Sequence, residues 1–145
     1  MQSNLYDQDL YAWAMTSARL LREGRIDELD RENLAEELES MGKSELRALE
    51  SRLTVLLAHL LTWQFQPDRR GKSWQRTLVE QRRRIARLLR DSPSLRPRVP
   101  MLLPDAYDSA LRLAAEETGL DETDFPAVCP YHAEQVLAED FHPEA

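Results

Sequence analysis

Eleven of the nineteen lysines and arginines in this chain fall within residues 69–98, beside only two acidic side chains. The stretch RRGKSWQRTLVEQRRRIARLLR, residues 69–90, is the densest part. Arginine presents a planar, permanently charged fork of N–H donors that matches the oxygens of phosphate and carboxylate. Whether these side chains can act together depends on their spacing. At about 100° per residue on a helix, Arg76, Arg83, Arg87 and Arg90 fall within one sector about 60° wide. The opposite sector, about 100° wide, holds Trp74, Leu78, Ile85, Leu88 and Leu89. Arg84 flanks the arginine ridge, and Arg82 sits beside the apolar stripe instead. Arg69, Arg70 and Lys72 carry the positive charge to the amino end of the helix, where the helix dipole also favours anions.

The chemistry such a ridge offers is non-covalent anion recognition. Three readings fit it: binding of a nucleic-acid backbone, docking on an acidic protein surface (a second copy included), or a solvated face. The ridge has no interleaved aromatics to stack single-stranded bases, and no helix-turn-helix spacing is evident.

Other chemistry is sparser. His59 lies in the near-continuously apolar segment LTVLLAHLLTW, so it is expected to be buried together with Trp63 and hydrogen-bonded. Glu45, Arg52, His59 and Trp63 line one helical edge, and Glu37, Glu45 and Arg82 each flank a core stripe. An interhelical Glu–Arg pair accounts for the latter three without catalysis. Cys129 stands three residues before His132 but between Pro126 and Pro130, with no orienting carboxylate; a small buried hydrophobe is the natural reading. Glu139 and His142 are the only Glu-x-x-His spacing, short of the two such motifs a di-iron bundle uses. No Gly-rich phosphate loop or serine triad motif is present. The expectation is a non-enzymatic protein with no catalytic residues, no metal and no cofactor.

The basic stretch sits in an acidic chain. The net charge is −7, distributed as −6 over residues 1–68, +9 over 69–98 and −10 over 99–145. With 145 residues the chain fits a single helical domain, 1–145. No apolar run approaches the ~18 residues of a membrane span, so no membrane partner is expected. The amino terminus lacks a secretory pattern, and one cysteine cannot form an internal disulfide; both point to the cytoplasm.

The elements that must position these residues read as helices throughout. A first helix is expected from about Asp7 to Glu23, ended by Gly24, and a second begins after Asp30 as its N-cap. Leu34, Leu38 and Met41 form one apolar stripe; beyond Gly42 a second stripe, Leu46 to Leu60, is rotated by about 80°. That change predicts either a kinked long helix or two helices meeting. Pro67 and Gly71 mark the next turn, and Ser73 is the expected N-cap of the basic helix, residues 73–91. A further helix is expected from about Pro104 to Glu117 after an irregular start through Pro97 and Pro100, with Gly119 stopping it. FPAVCPYHAEQVL reads as a Pro-rich loop and a short last helix from about Pro130. The fold class is all-α, a bundle of four or five helices with a Pro-rich carboxy-terminal loop and that short last helix.

The stretch from LYDQDLYAWAMTSARLLREG through to RDSPSLR, with LRLAAEETGL and FPAVCPY, resembles the bacterial domain-of-unknown-function family number 29 across roughly residues 5–143. The resemblance implies an α-helical domain with no established activity and a suggestion of nucleic-acid binding. It transfers no catalytic residue.

Overall fold

The computed structural model describes residues 3–144, which form two compact units divided between Ser44 and Glu45, inside a long helix. Every regular element among the described residues is helical, and no strand is present. Among the described residues there are six α-helices, four of them long, an all-α fold consistent with the expected bundle.

In the first unit, the helix expected over Asp7–Glu23 is two: α1 (Ser3–Gln8) and α2 (Leu10–Arg22). Asp9 divides them because its carboxylate accepts the Ala12 N–H at 3.0 Å, and an N-cap residue leaves the helical conformation to do so. Trp13, Ser17 and Leu20 face inward, and Tyr6 meets the Trp13 ring edge-on at 4.8 Å. The helix closes on Gly24, whose φ of +73° allows Arg25 N–H to reach Leu20 O and Gly24 N–H to reach Leu21 O. Asp30 then accepts the Asn33 N–H at 3.4 Å and starts α3 (Arg31–Phe65). The helix runs unbroken through Gly42, so two helices meeting there is the wrong alternative. Glycine costs about 1 kcal/mol against alanine inside a helix, too little to end one this long.

Glu37 does not pair with an arginine. It accepts the Tyr6 hydroxyl at 2.5 Å, and that bond is the main reason the Tyr6 phenol is pushed up to about 12.

The second unit is built on the rest of α3. Leu53 and the run Leu56–Trp63 are buried, with Leu56, Leu57, Ala58, Leu60 and Leu61 fully so. A segment apolar nearly all round has to be wrapped on all sides. The wrapping comes from α4 (Lys72–Asp91), α5 (Val99–Thr118), α6 (Ala133–Leu137) and their connections. Each buried leucine contributes on the order of 2 kcal/mol.

Helix α5 begins five residues before Pro104, at Val99, which corrects the irregular start. Pro100 occupies the first turn, where its missing N–H costs no helical bond. Gly119, at φ +77°, ends α5 as its spacing implies. The Pro-rich loop is pinned to the core: Tyr107 donates to Pro126 O at 2.6 Å, Phe125 meets Phe65 edge-on, and Tyr131 donates to Gln64 at 2.8 Å. Helix α6 starts at Ala133 rather than Pro130, because the Gln135 side chain accepts the His132 N–H and sets the first turn there.

Candidate functional site

Helix α4 begins at Lys72, so its N-cap lies two residues before Ser73. Gly71 is its N-cap, in extended conformation, and Ser73 lies inside the first turn with its carbonyl accepting the Thr77 hydroxyl. The two sectors fall as the spacing requires. Leu78, Ile85 and Leu89 are buried, Trp74 and Leu88 partly so. Arg76, Arg83, Arg84, Arg87 and Arg90 are all exposed, as are Arg69 and Lys72 near the amino end.

Their pairing matters more than their exposure. Arg84 is held by Glu80 at 2.7 Å, a one-turn pair on the helix surface. No other arginine of the ridge has a carboxylate partner among the described residues. In the first unit, by contrast, Arg19 and Arg25 are engaged by Glu23, and Arg25 also by Glu28. The ridge field registers on Glu80: Arg84 lowers its carboxyl chiefly by the hydrogen bond, and Arg83 and Arg87 add to the effect.

Arg70 stands apart from the ridge. It is half-buried, donates from Nε to Trp63 O at 2.6 Å and lies over the Trp63 ring at 5.5 Å. Those contacts close the turn between α3 and α4, so Arg70 acts as a connector. Arg82 is likewise structural, only 5% exposed, and reaches the carboxy end of α6. Its guanidinium donates to Val136 O at 3.0 Å, Gln135 O at 3.3 Å and Glu139 O at 3.5 Å. Burial lowers its pKa, while Asp140 and Glu139 oppose that change. The carbonyls at a helix end carry partial negative charge, which a buried cation can meet. Arg82 therefore pairs with backbone, not with Glu37 or Glu45, and Glu45 is exposed.

His59 is buried, as is Trp63. Its Nδ1 lies 2.9 Å from Val55 O, its ring is tilted over Trp74 at 4.7 Å, and Trp74 Nε1 donates to His59 O at 3.3 Å. The Val55 bond is internal to α3, the two Trp74 contacts join α3 to α4, and Glu45 takes no part in them. Cys129 is half-buried and its thiol is pushed up by burial, the opposite of what an activated nucleophile needs.

One residue gains a place that its helical edge did not suggest. Arg52 of α3, half-buried, lines a groove with Arg83, Arg84 and Arg87 of α4. The available signal was its position as the last charged side chain before Asp68, at the point where α3 turns wholly apolar.

No helix among the described residues is long and apolar enough to cross a membrane. Comparison with curated proteins and with solved structures gives no match. A family model does match, over residues 5–142, and by that match the chain belongs to the domain of unknown function family DUF29.

Proposed function

We propose that this chain is a non-catalytic helical module, working in the bacterial cytoplasm, that binds nucleic acid through the outer ridge of α4. The observation that carries the reading is the set Arg76, Arg83, Arg87 and Arg90: exposed, on one ridge, and without carboxylate partners among the described residues. From the first to the last the ridge spans about 21 Å at 1.5 Å per residue. A duplex presents one negative charge per ~1.7 Å of its axis, so such a ridge can meet several phosphates at once. Trp74, the aromatic of α4, is taken up against His59 and gives no stacking platform, which favours duplex over single strands.

The test is titration of labelled duplex and single-stranded nucleic acid with native protein at low salt, repeated with Arg83→Glu/Arg87→Glu. The reading expects duplex binding that the double substitution weakens without loss of helicity. Absence of binding at low salt ends it.

A second reading has its own observation. Leu10, Tyr11, Met15, Leu21, Ile26, Leu38 and Met41 are exposed large hydrophobics, all in the unit 1–44, which carries ten acidic and five basic side chains. An acidic surface with apolar content is the kind of partner a basic helix meets in a self-associating protein. Unchanged nucleic-acid binding together with a shift towards monomer in sedimentation, for the same double variant, selects this reading.

A further inference from the structure

A ridge is convex, yet part of the positive charge of α4 lies in a concavity. Ala48 and Arg52 of α3 form one wall of a groove of about 560 Å³, and Glu80, Arg83, Arg84, Arg87 and Leu88 of α4 form the other. Four arginines from two helices thus line one groove. Glu80 is the one carboxylate in the lining, and it is already engaged by Arg84, leaving a local charge of +3 at the groove. Arg52 has no carboxylate partner among the described residues.

We infer that this groove is a site for a terminal phosphate or diphosphate group. The inference rests on the ridge reading to the extent that Arg83 and Arg87 belong to both features, but it adds Arg52 and a different ligand geometry. A backbone diester exposes two non-bridging oxygens and one charge, which suits a convex ridge touched from one side. A terminal phosphate exposes three oxygens and carries up to two charges, and a diphosphate carries more. Guanidiniums approaching from two walls can each donate a pair of N–H groups to different oxygens of such a group. Ala48 and Leu88 line the groove with apolar surface, which lowers the local dielectric and strengthens each contact. The ligand could arrive as the 5′-phosphate end of a nucleic acid or as a free diphosphate; both share this chemistry.

The experiment is calorimetric titration of the full chain with sodium pyrophosphate, beside fluorescence titration with a 5′-phosphorylated duplex and the same duplex ending in a 5′-hydroxyl. Native protein binds pyrophosphate, and Arg52→Gln weakens that binding at least tenfold. Arg87→Gln, at an exposed position outside the core, does the same. Arg90→Gln, on the ridge but outside the groove, changes it less than twofold. A tenfold advantage of the 5′-phosphate duplex that vanishes in Arg52→Gln assigns the ligand to nucleic-acid ends. Pyrophosphate binding with no such advantage assigns it to free diphosphates. Pyrophosphate binding equal in native and Arg52→Gln protein, or absent together with any 5′-phosphate advantage, overturns the inference. Arg52-dependent pyrophosphate binding in a protein that ignores the 5′-hydroxyl duplex refutes the ridge and leaves the groove standing. Duplex binding in a protein that shows no Arg52-dependent binding of pyrophosphate or of the 5′-phosphate end does the reverse.

Discussion

Arg82 and Arg83 are adjacent in sequence, about 100° apart around α4, and lie in different surroundings. Arg82 points inward, buried, with three backbone carbonyls of the α6 end around it; Arg83 points outward, exposed, without a carboxylate partner among the described residues. The same functional group does structural work on one face and is left available on the other. Local composition cannot tell them apart. Only the angle each side chain takes from the helix axis, and what packs there, separates a cation that holds the fold from one that can hold a ligand.

That comparison is sharpest under substitution. Arg82→Met keeps the aliphatic stem but strips three carbonyls of their donor, and should destabilise the protein by roughly 3 kcal/mol in denaturant unfolding. The nucleic-acid affinity of the fraction that remains folded should be unchanged. A neutral Arg82→Met would mean that the carbonyls find water instead and that the two faces are less different than the packing implies. Arg83→Glu with Arg87→Glu should do the opposite. Unfolding should shift by less than about 1 kcal/mol, while loss of two phosphate contacts weakens duplex binding by roughly fiftyfold near 0.1 M salt.

His59→Leu tests a third position, where a polar group is again turned into the core. It removes the ring contact with Trp74 and the bond to Val55 O, and should cost on the order of 1 kcal/mol with no effect on binding. A change in affinity larger than the change in stability would make His59 part of a site. The smallest effect belongs to the first unit. Tyr6 is raised mainly by its bond to Glu37, with burial next, so the fold favours its neutral form. Its contribution to stability is complete below the unfolded value of 10.0 and is lost as pH rises through about 12. Glu37→Gln should bring the Tyr6 titration, followed by the ring resonances, back towards the ordinary tyrosine range.

Much of this was legible in the residues. The apolar and arginine sectors of α4 lie as their spacing requires, because an amphipathic pattern that strong admits one orientation against a core. The all-round apolar run of α3 likewise places His59 and Trp63 inside. The stripe Leu34, Leu38, Met41 fails: it has helical period, yet Leu38 is 60% and Met41 66% exposed. A stripe reports which side of a helix is apolar but not whether anything covers it. The split at Asp9 and the early start of α5 depend on single hydrogen bonds and on a proline tolerated in a first turn, features that periodicity does not resolve. The partners of Arg82 and Arg70 are backbone carbonyls, which no residue type announces. The Arg52 groove needs two helices brought side by side, and that is a property of the packing.

The ridge account is tested most directly by the salt dependence of duplex binding. Four phosphate contacts, from Arg76, Arg83, Arg87 and Arg90, predict that log K falls with log salt at a slope of roughly −3 to −4. In Arg83→Glu/Arg87→Glu the slope should be shallower by about 2. A native slope near zero, or one that the double substitution leaves unchanged, contradicts the assignment of this ridge to the nucleic-acid backbone.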